Sequence, residues 1–168
     1  MRTGTYLVAG GREDFTWAPA ADGWSYASTR EDETGTTRLE LHVGREVRVH
    51  VEAGGWVLRA GTVGPDVLWR RGDDEREAAA DGMTGPSPAY AAALVHHLAL
   101  ALAVGEQRRV RLVAVTAPVL ATRLVDESWT RTGPEDFDVA DLATGERRVV
   151  RLEAGLVVEA TGLTLTRP

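Results

Sequence analysis

Apolar and polar residues alternate with a period of two over much of the chain, and this alternation marks strands with one wet face. The clearest pair is Leu39, Leu41 and Val43 interleaved with Glu40 and His42, then Val47, Val49 and Val51 interleaved with Arg48 and His50. Residues directly opposite in a hairpin must share a face. A loop of Gly44, Arg45 and Glu46 meets that condition, setting Val43 against Val47, Leu41 against Val49, Leu39 against Val51 and His50 against Glu40. Before this hairpin, Phe15–Trp17 is a short strand candidate, and 23–29 alternates with Trp24 and Tyr26 on one face. After it, Gly54-Gly55 turns the chain into strands over 56–60 and 67–70, with a turn across 61–66. Turns at such close, even spacing predict a barrel or a strongly curved sheet.

Residues 72–85 are polar and glycine-containing and read as a loop. Ser87 followed by Pro88 is a helix start, because Ser caps and Pro fits the first helical position. The predicted helix runs over about 88–104 and stops at Gly105. On a helical wheel Tyr90, Leu94, Val95, Leu98 and Leu102 share one side, and Ala92, Ala93, His96, Ala99 and Ala103 the other. No charged stripe interrupts it, and a helix apolar nearly all round is buried on most sides. Its natural cover here is a sheet, with the alanine side nearer solvent or another close surface. Beyond it, 108–115 and 120–131 predict long strands joined at Thr116-Ala117-Pro118, followed by hairpin strands over 137–142, 148–152 and 156–159. The expected fold is mainly β (α+β): a curved antiparallel sheet or half-barrel of about 9–11 strands around one central helix. The 168 residues fit one domain, expected to bury roughly 70% of its unfolded surface.

Composition narrows the chemistry. Cysteine is absent, which excludes disulfides, thiolate metal sites and cysteine nucleophiles. A net charge of −6 argues against a nucleic acid or an anionic membrane as partner. All 19 basic residues are Arg, while Lys, Asn and Ile are absent. AT-rich codons encode those three, so a high-GC bacterial genome accounts for the arginines without selection for phosphate binding. The first residues lack the apolar run of a signal peptide. No stretch reaches the roughly 20 apolar residues of a membrane helix, the longest being Ala89–Val104. A cytoplasmic protein without an integral membrane segment is expected.

Phosphate loops, dinucleotide fingerprints and nucleophile elbows are missing from the sequence. His96 and His97 are adjacent, diverge by about 100° on a helix, and make a poor metal pair; nothing in the pattern requires a metal or cofactor. His97 borders the Tyr90–Leu94 side and could enter a cavity as a neutral base or ligand donor. The plainer reading is a core-edge histidine satisfied by a backbone carbonyl. His42 and His50 read as outer-face residues. Asp126 shares a strand face with Leu120, Thr122 and Leu124, and Arg123, Val125, Glu127 and Trp129 share the other. With the Leu124 face inward, Asp126 would stand at a cavity rim with a raised pKa; the plainer reading is a strand end emerging into water. Tyr90, His97 and Asp126 are the catalytic candidates. Trp24, Tyr26, Trp56, Trp69, Tyr90, Leu94, His97 and Trp129 are the candidate lining of a binding cavity, although large side chains fill plain cores equally well.

The layout of a meander, a loop, one helix and a long-stranded meander closes on Gly155-Leu156-Val157 and, after Gly162-Leu163, on Arg167. It resembles a bacterial family described as glycolipid-binding, and the stretch from Trp24 to Gly35 resembles that family more loosely. The resemblance implies a half-barrel around a helix, shaped like bacterial lipoprotein carriers, with a groove for a lipid-like ligand. Where that family has an aromatic residue before its closing Gly-Leu, this chain has Thr161, and the family's middle section has no counterpart around 82–87. Three functions follow as expectations: binding an apolar or lipid-like small molecule between sheet and helix; a cyclase-type enzyme acting on an apolar substrate in the same cavity; or a structural protein with a filled core. A homodimer would form through an exposed edge strand.

Overall fold

The computed structural model describes residues 1–166, apart from the side chain of Leu100; the Arg167 of the resemblance lies outside them. Eight strands follow one another as antiparallel neighbours: β1 (Arg2–Val8), β2 (Gly11–Ala20), β3 (Gly23–Asp32), β4 (Gly35–Val43), β5 (Val47–Ala53), β6 (Trp56–Val63), β7 (Asp66–Arg71) and β8 (Asp74–Ala79). Next come β9 (Gly82–Thr84) and the helix α1 (Pro88–Ala101). The second meander is β10 (Gln107–Thr116), β11 (Ala121–Arg131), β12 (Asp136–Asp141), β13 (Arg147–Glu153), β14 (Leu156–Ala160) and β15 (Leu163–Thr166). Because β15 pairs with β1, both meanders join in one 15-stranded sheet with β8 and β9 at its edges. The half-barrel around a helix is therefore the observed architecture.

The hairpin between β4 and β5 has the register read from its pattern, from Val43↔Val47 to Glu40↔His50 and Leu39↔Val51. The strand count exceeds the expected range for identifiable reasons. The polar stretch over 72–85, expected as a loop, contains β8 and β9. β8 is an exposed edge strand without an apolar face, so it carries no alternation to read. β9 has three residues and runs parallel to β10, with α1 as the crossover between them. β1 and β15 were not anticipated either; their pairing is too remote in sequence for any local pattern to display.

The helix begins as expected, with the Ser87 hydroxyl accepting from the Ala89 N–H at 3.2 Å and Pro88 in the first turn. It ends earlier, with Leu102 at the C-cap. Arg131 of β11 accounts for that end, donating to the carbonyls of Ala99 at 3.1 Å and Leu102 at 2.8 Å. Tyr90, Leu94, Val95 and Leu98 are buried, but so are Ala92 and Ala93, so the alanine side is largely covered as well. The inner face of β1–β3 holds a stack of Tyr6, Phe15 and Tyr26 with centroid separations of 4.7 and 5.4 Å. Gly4 makes room for it, since a Cβ there would lie 2.8 Å from Phe15 Cζ.

Both ends of this curved sheet are defined by its turns. One end gathers the β1–β2, β3–β4 and β14–β15 turns with the N-terminus of α1. The other gathers the β2–β3, β13–β14 and β11–β12 turns with the helix C-terminus.

Candidate functional site

Pairing places a polar row on the inner face near the N-terminus of α1. Glu13 of β2 lies opposite Arg30 of β3, and Arg30 lies opposite Thr37 of β4. Each belongs to an alternation whose other members are core residues: Glu13 with Phe15, Arg30 with Tyr26 and Trp24, Thr37 with Leu39 and Leu41. Strand geometry therefore forces these polar groups inward. Glu13 is fully buried. Its Oε1 accepts from the Tyr26 hydroxyl at 2.8 Å and the Ser87 hydroxyl at 2.6 Å, while its Oε2 is buried without a hydrogen-bond partner. The buried Tyr90 hydroxyl also lacks a partner. Glu13, Ser28, Arg30, Thr37, Ser87 and Tyr90 border a cavity of about 10 Å³. Burial first, and the Glu13 charge second, push the Tyr26 and Tyr90 phenols well above their ordinary range, so both stay protonated.

Arg30 ties the segment before the helix to the sheet, donating to the Pro86 carbonyl at 2.7 Å and to Asp32 at 2.8 Å. With Ser87 bonded to Glu13, residues 86–87 form a fixed lip. Beyond that lip opens a cleft of about 400 Å³ between α1 and the inner face of β13–β15. Val8, Ala91, Val150, Val157 and Leu163 supply its apolar surface. Glu127, also in the wall of this cleft, is buried, accepting from Arg148 Nη2 and from Trp129 Nε1, each at 2.8 Å. Cleft and small cavity share Arg30, Pro86 and Ser87 as walls.

Other hollows lie elsewhere on the molecule. One of about 480 Å³ lies at the opposite end, against Arg2, Phe15, Leu156 and Leu165. Another, of about 530 Å³, is on the outer face, bordered by His42, Arg48, His50 and Arg59. Its histidines have carboxylates close by, Asp22 at 3.4 Å from His42 and Glu52 at 3.3 Å from His50. The cleft beside the helix is the stronger candidate because it shares Arg30, Pro86 and Ser87 with the small cavity bordered by Glu13 and Tyr90, whose Oε2 and hydroxyl are both buried without a partner, whereas the outer-face hollow adjoins one such atom, His50 Nε2.

Among the residues singled out from the sequence, Tyr26 and Tyr90 meet at this site. Trp24, Trp69, Leu94 and Trp129 are buried core residues and do not line the cleft. Trp56 is 42% exposed at the first position of β6, under the Arg71 guanidinium at 4.8 Å, and borders a separate hollow of about 360 Å³ beside Thr36, Arg38 and Glu52 rather than the cleft. His97 is half-buried outside the cleft, its Nε2 without a partner, and burial followed by His96 lowers its pKa. The reading of Asp126 with the Leu124 face inward is corrected, and the plainer one of a water-facing carboxylate stands: Leu124 is exposed, and Asp126 lies on the outer face between Arg109 at 2.9 Å and Arg111 at 3.0 Å. Those hydrogen bonds, Arg111 first, lower it to about 2. Glu127, on the other face of the same strand, is the inward carboxylate. Among the described residues no three His, Asp or Glu side chains could hold a metal ion, and no helix is long and apolar enough to cross a membrane.

Comparison with solved structures finds a DUF1089 family protein from Pseudomonas aeruginosa, 21% identical over 88% of each chain with a TM-score of 0.62. At that identity the likeness is one of fold. No protein-family model matches the chain, and no curated protein does.

Proposed function

We propose that this protein binds a lipid-like small molecule, with an apolar body and a polar end, in the cleft between α1 and β13–β15. The observation that carries the reading is the division of the cleft wall. Val8, Val150, Val157 and Leu163 offer apolar contact, while Arg30, Ser87 and the Glu127–Arg148 pair offer fixed charged and hydrogen-bonding groups. Such a space, with apolar walls beside fixed polar groups, orients an amphiphile. The resemblance to a glycolipid-binding family agrees with this reading. A cyclase-type enzyme acting on an apolar substrate in the same cleft is the alternative.

Native mass spectrometry of protein purified gently from a bacterial host tests the proposal. The expected result is an added mass that organic solvent removes, absent from a Val157→Trp variant in which the indole fills the cleft. Retention of the same ligand by Val157→Trp would overturn it.

A further inference from the structure

Resting on that reading of the cleft, we infer that the cavity beneath Ser87 is a head-group subsite that takes a hydroxyl, through Glu13 Oε2 and the Tyr90 phenol, and refuses an anionic head. The argument is a count of protons. Tyr26 has one hydroxyl proton and gives it to Glu13 Oε1. Ser87 has one and gives it to the same oxygen, while accepting from the Ala89 N–H. Neither serves Oε2, and Glu13 borders the same small space as Tyr90, whose hydroxyl is equally unpartnered. Leaving two buried polar atoms unmatched is costly, so the space suits a group that satisfies both.

At about 10 Å³ it admits a group no larger than about one water molecule. A hydroxyl donates its proton to Oε2 and accepts from the Tyr90 phenol. A carboxylate or phosphate has no proton for Oε2 and would set a second anion against Glu13. An ammonium could donate, but it would enter beside the Arg30 guanidinium, which borders both spaces. The hydroxyl is the class that meets every group present.

Three probes of one chain length separate these cases: octan-1-ol, octanoate and octylammonium, titrated at pH 7 and followed by the methyl resonances of Val150, Val157 and Leu163. The wild type is expected to bind octan-1-ol about tenfold or more tightly than either ion. Tyr90→Phe should bring that preference to within about threefold. Glu13→Gln presents an amide donor where Oε2 was, and should shift the preference toward octanoate. Melting curves confirm that each variant is folded, and either variant alone suffices for the test. Octanoate binding as tightly as octan-1-ol, or an unchanged preference in a folded variant, overturns the subsite while leaving the cleft in place. Silence of the cleft methyls with all three probes overturns the cleft reading, and the subsite with it.

Discussion

At the scale of single residues, the site consists of polar groups held in apolar alternations. Tyr90 has a stability consequence that can be measured without knowing any ligand. Its hydroxyl is buried and unpartnered, so Tyr90→Phe should stabilise the ligand-free protein by about 1 kcal/mol in urea unfolding; a loss of that size would mean that the hydroxyl has a partner after all. His97 predicts a pH effect. Burial, then His96, lowers its folded pKa below the unfolded value of about 6.5. Between the two values the unfolded chain holds the proton more tightly, so stability falls as pH drops below about 6.5. His97→Gln should flatten the melting temperature across pH 7.5 to 5.5, and an unchanged slope would refute the assignment. The alternation that buries Phe15 also buries Glu13, two positions earlier, so this carboxyl was legible. The short reading of β2 stopped before it. Asp126 and Glu127 show the opposite case: both faces of β11 carried apolar residues, and only Trp129 against Leu124 decided between them.

At the scale of elements, the sequence specified most where a face was half wet. The β4–β5 register followed from matching Val43 to Val47, because any slip by one residue would invert every side chain. The helix start followed from Ser87 and Pro88. Its end did not, because what stops α1 is a side chain from β11 rather than the local Gly105. Arg131 donates to the carbonyls of Ala99 and Leu102 while also holding Gly133 and Pro134. Charged donors near a helix C-terminus satisfy carbonyls left without intrahelical partners. Arg131→Ala is therefore expected to destabilise the protein by about 1.5–3 kcal/mol in urea, with faster amide exchange confined first to 98–102. Uniform exchange along the whole helix would show that Arg131 does not anchor its end.

Across the whole molecule, the two meanders are joined at two places. Along one side, β1 and β15 pair through Thr5↔Thr166, Tyr6↔Leu165 and Leu7↔Thr164. On the other, Ala80 and Asp81 bridge the free edges, the Ala80 N–H donating to the Pro65 carbonyl and the Asp81 N–H to that of Arg111. The second joint is local in sequence, next to the turn it serves. The first unites opposite ends of the chain, which explains why no pattern announced it and why it should form late. The cleft depends on it, since Val8 precedes the β1–β2 turn and Leu163 begins β15. Removing residues 161–168 would strip β1 of its partner and expose an edge carrying Leu7, itself half exposed already. An unpaired edge of that kind invites a second chain. The truncated protein is expected to form dimers and larger species in size-exclusion chromatography with light scattering, and to lose the solvent-extractable ligand mass. A monomer that keeps its melting temperature and its ligand would show that the ladder between the chain ends neither seals the sheet nor shapes the cleft.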